Sequence, residues 1–68
     1  MRQKINRQIR ATLLQLVANN QQYYTRTATN TLSILYKVPP QVIAGNISYL
    51  VRSGAVNICR NRPYSYLY

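Results

Sequence analysis

Three ionisable residue types are missing from this chain. It contains no Asp, no Glu and no His, which are the side chains that most enzymes use for general acid and base catalysis. It also has a single Cys, Cys59, so a metal ion would find one thiolate and no second strong ligand. The sequence therefore predicts a protein that is not an enzyme and that holds no metal ion or cofactor.

Disulfide bonds and membrane-spanning segments are also missing from the expected structure. One Cys cannot form an internal disulfide, which is typical of a protein from a reducing compartment. No apolar run approaches the ~20 residues that a transmembrane helix needs. We therefore expect a cytoplasmic protein without a membrane partner, and its 68 residues predict one domain with a small core.

All of the charge that is present is positive. Nine Lys or Arg residues give a formal charge of +9, and the chain has no acidic side chain to pair with any of them. Each positive charge therefore faces water or an external anion, of which nucleic acid is the commonest. Seven of the nine are Arg, whose planar guanidinium makes bidentate contacts with phosphates and bases.

Apolar spacing predicts a first helix over residues 3–19 and a third over residues 40–53. In the first helix the apolar side chains recur at intervals of three and four, at Ile5, Ile9, Leu13, Leu16 and Val17. The third helix has an apolar stripe formed by Ile43, Ile47, Leu50 and Val51. Pro40 suits the first turn of this third helix and Gly54 suits the position just beyond its end.

A second helix is predicted over residues 27–37, where Thr25 or Thr27 would be the N-cap. Its buried face is expected to hold Leu32, Leu35 and Tyr36. Ahead of it lies a polar segment that ends in Tyr23 and Tyr24, which we expect to fill the junction between the first two helices.

The C-terminal residues change from a helical to an alternating pattern. Val56 and Ile58 alternate with other residues, a turn follows at 61–63, and alternation resumes from Tyr64. Two short alternating runs around a turn predict a β-hairpin over residues 55–68. Three of its tyrosines share one face, and they are Tyr64, Tyr66 and Tyr68. We expect this face to cover the core, with stacking on single-stranded bases as the alternative.

Three helices followed by a hairpin resemble the winged helix-turn-helix family of DNA-binding domains. The resemblance rests on Val38, Pro39, Pro40, Ile43, Ile47, Leu50, Gly54 and Val56. It implies an α+β, mainly α fold in which one winged helix-turn-helix domain spans residues 1–68, similar in size to small phage, plasmid or fimbrial-operon regulators. Lys37 stands at a turn position where the family often has Gly, which adopts a positive φ readily.

The resemblance implies that the third helix is the recognition helix and that the hairpin is the wing. The expected DNA-contacting residues of the recognition helix are Gln41, Val42, Ala44, Gly45, Ser48, Tyr49 and Arg52. Those of the wing are Arg60, Asn61 and Arg62, and backbone contacts are expected from Arg26, Thr27 and Lys37. We expect Gln41 to read an adenine and Arg52 to anchor a phosphate.

Gly45 interrupts the third helix on the side away from its apolar stripe. A Gly inside a helix costs about 0.5–1 kcal/mol relative to Ala, so its presence needs a reason. Close approach of another backbone, such as the wall of a DNA groove, is the interpretation we favour. A tolerated surface Gly and a contact with another protein are the alternatives.

These features together predict sequence-preferring binding of double-stranded DNA. The protein would be a small transcriptional regulator of a mobile element or small operon, nucleoid-associated when bound. We expect a homodimer or a cooperative array on DNA, and no small-molecule ligand. The alternatives are an architectural or excision accessory factor, binding of RNA or single strands by the Tyr-rich hairpin, inhibition of an acidic host protein, and a cationic membrane-active protein.

Overall fold

The computed structural model describes residues 2–60 and 64–68. In chain order its elements are α1 (Arg2–Asn19), β1 (Tyr23–Tyr24), α2 (Thr25–Tyr36), α3 (Pro40–Arg52), β2 (Ile58–Arg60) and β3 (Ser65–Leu67). The fold is α+β and mainly α, with a winged-helix-like arrangement, which confirms the predicted fold class. Within the described ranges no helix has both the length and the apolar character needed to cross a membrane.

The start of α2 differs from the prediction. The helix begins at Thr25, directly after β1, and its N-cap is Tyr24, which has an extended backbone and no capping side-chain hydrogen bond. The prediction of a Thr N-cap is therefore wrong. The physical reason is that the Thr25 hydroxyl lies 2.6 Å from the Ser65 hydroxyl, so it joins the helix to the sheet instead of capping the helix.

The turn between α2 and α3 uses a left-handed residue. Lys37 has φ 56° and ψ 47°, and its N–H donates to the Ser33 carbonyl at the end of α2. Residues other than Gly are uncommon at positive φ, because their Cβ atom is crowded by the backbone there. Pro39 then forms the N-cap of α3 and Pro40 its first residue, which sets the direction of the third helix.

The three strands form one antiparallel sheet in the order β1-β3-β2. Leu67 of the central strand pairs with Tyr23 on one side and with Ile58 on the other. The hairpin extends one residue further, because Asn57 and Tyr68 exchange backbone hydrogen bonds of 2.9 and 3.0 Å. The hairpin was expected from its alternating pattern, whereas β1 was not expected.

The core is built from all three helices and the sheet. Its buried apolar residues are Ile9, Leu13, Ala28, Leu32, Ile43, Ile47, Leu50, Val56 and Leu67. Leu35 was expected among them and is instead 61% exposed. The reason is the spacing, since the residues of α2 that face the core recur every four positions, at Ala28, Leu32 and the half-buried Tyr36, and Leu35 lies to one side of that stripe.

The sheet turns its aliphatic side chains inward and its tyrosines outward. Leu67 is fully buried, whereas its neighbour Tyr68 and the nearby Tyr64 are 53% and 56% exposed. The expectation that the hairpin tyrosines cover the core is therefore wrong, because successive residues of a strand point to opposite faces and Leu67 takes the inward position. Tyr23 packs against the core, but Tyr24 is exposed, so only one of this pair fills the helix junction.

Candidate nucleic-acid interface

The outward face of α3 is formed by the residues opposite its buried stripe. The predicted recognition-helix residues that are exposed are Gln41, Ala44, Gly45, Ser48, Tyr49 and Arg52. Val42, which was grouped with them, is half-buried and packs against the core. A depression bounded by Ile5, Asn6 and Val42 places the Val42 side chain towards α1, away from the rest of the group.

This face of α3 borders an open groove of about 620 Å³ between α2, α3 and the β2–β3 hairpin. We call it the α3 groove, and its lining residues are Thr25, Thr29, Ala44, Ile47, Ser48, Val51, Arg52, Ile58, Arg60 and Ser65. Arg52 comes from the end of α3, and Arg60 comes from the end of β2. Two arginines from consecutive elements therefore line one cleft, and no acidic group lies near them because the chain has none.

Strand alternation explains why Arg60 lines the α3 groove. Arg60 pairs with Ser65 in the sheet, and Ile58 pairs with Leu67. Since residues two apart on a strand share a face, Arg60 lies on the same face as Ile58, which packs against the core. Beyond the core this face opens onto α3. The other predicted wing residues, Asn61 and Arg62, lie outside the described residues.

The predicted backbone-contact residues lie at opposite ends of α2. Arg26 and Thr27 are exposed in its first turn, and both line a small depression together with Tyr24 and Tyr64. Lys37 follows the last residue of α2, roughly 16 Å further along at ~1.5 Å per residue. The structure therefore does not bring Lys37 together with Arg26 and Thr27.

A polar network joins α1 to the inward side of α3. Asn46 is only 5% exposed. Its amide nitrogen donates to the Asn6 side-chain oxygen at 3.0 Å and to the Val42 carbonyl at 2.8 Å, and its amide oxygen accepts a hydrogen bond of 3.2 Å from Arg10. No buried side-chain nitrogen or oxygen in residues 2–60 and 64–68 lacks a partner. The network therefore fixes α3 against α1 without an unpaired polar atom.

Arg10 is the residue of this region that sequence analysis missed. Its guanidinium carbon lies 4.4 Å from the centroid of the Tyr49 ring, a distance at which a cation and an aromatic face attract each other. Arg10 thereby holds Tyr49, which is 52% exposed at the surface of α3. The sequence feature that could have revealed Arg10 is Asn46. It is a polar residue on the inward side of α3, and a buried polar side chain requires a polar partner.

Fold and groove together define a winged-helix-like α+β domain that exposes one face of its third helix beside an arginine-lined cleft. In comparisons with known proteins, no family model matches the chain, and no curated protein and no solved structure is significantly similar to it.

Proposed function

We propose that this chain binds double-stranded DNA, with α3 in the major groove and the β2–β3 hairpin as a wing beside it. The observation that carries the proposal is the α3 groove, because Arg52 and Arg60 lie in the same cleft next to the exposed face of a helix. A helix fits the major groove of B-form DNA, and arginines beside that helix are suited to the phosphates that border the groove.

The small side chains of α3 support a close approach to DNA. A Cβ atom added to Gly45 would meet no atom within 4 Å, so packing inside the protein does not explain the Gly. Ala44 and Ser48 beside it are small and exposed as well. A flat helix face of this kind lets the helix axis approach the groove floor, where the Gln41 amide is suited to the edge of an adenine.

The charge of the chain supports a polyanionic partner. The chain carries a charge of +9 and has no acidic residue, so a contact with a phosphate breaks no ion pair to an acidic side chain of the protein. Binding also releases counterions from the DNA. If roughly four to six phosphates are neutralised, the logarithm of affinity falls with the logarithm of salt concentration with a slope of about −4 to −5. The resemblance of residues 38–56 to winged helix-turn-helix domains points in the same direction, and we propose a small transcriptional regulator of a mobile element or small operon.

Fluorescence anisotropy with labelled duplex DNA over a range of salt concentrations tests the proposal. We expect the double variant Arg52→Ala, Arg60→Ala to weaken duplex binding and to flatten the salt slope by about two. The matched control is Lys4→Ala, Arg7→Ala, which removes the same charge from exposed positions of α1 outside the groove lining. Equal losses in the two variants would mean that charge alone causes binding, and weak duplex binding by the wild type would refute the proposal.

Selection of bound sequences from a random duplex pool then tests sequence preference. Enrichment of one site supports a regulator that reads bases. A pool that binds tightly and stays unenriched contradicts the regulatory role and indicates an architectural protein that recognises the backbone and shape of DNA.

A further inference from the structure

The outer face of the sheet carries a cluster of four tyrosines that the α3 groove does not include. We call it the tyrosine face, and it consists of Tyr24, Tyr64, Tyr66 and Tyr68. The ring centroid of Tyr24 lies 5.8 Å from that of Tyr64 and 6.3 Å from that of Tyr66. Tyr66 and Tyr68 are 6.0 Å apart. The rings therefore form one connected aromatic surface that crosses two strands.

The folding of the domain does not account for this surface. Three of the four side chains are exposed by 44–56%, and the core beneath the sheet is filled by Leu67, which points the other way. Any side chain that favours a strand would serve at outward positions such as Tyr64 and Tyr68. Contiguous exposed aromatic surface of this kind marks an interaction site on a soluble protein.

The positive charge of the chain indicates which kind of partner the tyrosine face binds. Arg26 lines a depression of about 330 Å³ together with Tyr24 and Tyr64, so a cation lies beside two aromatic rings. A second copy of this chain would bring +9 against +9, which opposes self-association. An acidic peptide would pair with Arg26 but would supply no planar groups for the rings. Nucleic acid with unpaired bases supplies both phosphates and planar rings.

We propose that the tyrosine face binds the unpaired bases of single-stranded DNA or RNA, with Tyr24 and Tyr64 as stacking platforms and Arg26 as a phosphate contact. Strand alternation places Tyr66 on the face of the sheet opposite Arg60, and the two surfaces meet at an edge formed by Thr25, Thr29 and Ser65. The rings are not part of the α3 groove lining, so the inference goes beyond duplex binding. One molecule would hold a duplex in the groove and a single strand on the tyrosine face.

The protonation of Tyr66 suits such a ligand. Cys59, its cross-strand neighbour, raises the pKa of Tyr66 above the usual 10.0, first through a hydrogen bond and then through electrostatic repulsion. A tyrosine hydroxyl is already neutral near neutral pH without this shift, so the raised pKa only extends the neutral form of Tyr66 to more alkaline pH. A phenolate at this position would repel the phosphates of a bound strand.

The test uses fluorescence anisotropy at about 0.15 M salt with three labelled probes, an oligodeoxythymidine and an oligouridine of ~15 nucleotides and a duplex of the same length. The double variant Tyr24→Leu, Tyr64→Leu keeps apolar side chains but removes the rings. We expect it to weaken single-strand binding by at least about tenfold and to leave duplex affinity unchanged. The matched control, Tyr24→Phe, Tyr64→Phe, should bind all probes like the wild type.

A second readout is the intrinsic fluorescence of the wild type, which comes from tyrosine because the chain has no Trp. Stacking of unlabelled oligodeoxythymidine or oligouridine should quench this fluorescence. The affinities of the two oligonucleotides, measured from the quenching, show whether DNA or RNA is preferred. If circular dichroism shows that the double Leu variant is unfolded, the single variant Tyr64→Leu replaces it, because this ring is the more exposed of the two proposed stacking platforms.

Several outcomes would overturn the proposal. One is a folded Leu variant that binds the single strands as tightly as the wild type. Another is a Phe variant that loses as much as the Leu variant, since the hydroxyls would then be the binding groups. Equal loss of duplex and single-strand affinity would assign the tyrosine face to the duplex site. Sedimentation showing a dimer that dissociates in the Leu variant would make a second copy the occupant.

Discussion

The inner and outer faces of the three-stranded sheet are formed by alternate residues of the same short strands, and they present different chemistry. On β2, Ile58 and Arg60 face inward, the first packing against the core and the second lining the α3 groove. Cys59 between them faces outward beside Tyr66. A strand of three residues therefore contributes to the core, to a basic cleft and to an aromatic surface. In a domain this small, neighbouring residues serve different surfaces because alternation leaves no other arrangement.

The two surfaces also differ in what they leave accessible. The α3 groove combines arginines with small side chains, which suits the regular backbone of a duplex. The tyrosine face offers exposed rings and one adjacent arginine, which suits bases that are not already stacked in a helix. Three substitutions distinguish the two surfaces. The first affects both surfaces, the second affects the packing that supports the α3 groove, and the third affects a single exposed position of α3. They follow in order of expected effect.

The largest effect is expected from Leu67→Ala, which removes the buried side chain of the central strand on which both surfaces depend. Leu67 is fully buried and pairs with both neighbouring strands, and Leu→Ala substitutions in cores cost about 2–5 kcal/mol. In a domain of this size we expect unfolding in urea at much lower concentration, and loss of duplex and single-strand binding together. The control Tyr68→Ala, at the exposed next position, should change the free energy of unfolding by less than about 0.5 kcal/mol. Similar losses in both variants would mean that the two faces of the sheet are equally important for stability.

An intermediate effect is expected from Asn46→Ala, which tests the frame of the α3 groove without changing its lining. The substitution removes hydrogen bonds to Asn6 and Arg10 and should lower the free energy of unfolding by about 1–2 kcal/mol. Thermal denaturation followed by circular dichroism measures it. The control Ser48→Ala, at an exposed position of the same helix, should leave stability nearly unchanged. A stability equal to that of the wild type would show that the network does not hold α3 in place.

The smallest effect is expected from Gly45→Ala, which sharpens the comparison at one exposed position of α3, next to Ala44 of the groove lining. The added Cβ meets nothing within 4 Å, so the free energy of unfolding should rise by about 0.5–1 kcal/mol. The reverse substitution nearby, Ala44→Gly, should lower it by a similar amount. If DNA approaches α3 as closely as proposed, Gly45→Ala weakens duplex binding although it stabilises the fold. Unchanged duplex affinity would leave Gly45 as a tolerated surface residue.

Much of the helical architecture was predictable because the apolar spacing is regular. The predicted bounds of α1 and α3 agree with the structure to within one residue at each end. The turn position of Lys37 came from the family resemblance and not from the apolar spacing. The exposed face of α3 was also predictable, with the exception of Val42. The predictions for α1 and α3 agree with the structure because they depend on the apolar spacing within a single helix, which can be read without knowing what the helix packs against.

The features that were missed depend on contacts between distant residues. The two residues of β1 are too few to show alternation, and they become a strand only because β3 lies beside them. The inward direction of Leu67 was not evident, since an alternating run has two possible orientations and only the rest of the core selects one. The contact of Arg10 with Asn46 and Tyr49 likewise joins residues that are far apart in the sequence.

The order of the strands has a consequence for how the chain folds during its synthesis. The central strand β3 follows β1 and β2 in chain order, so those two strands have no partner between them until residues 65–67 have left the ribosome. Sheet formation, core closure by Leu67 and the separation of the two surfaces therefore depend on the same three residues, and we expect nascent chains that stop before residue 65 to lack all three.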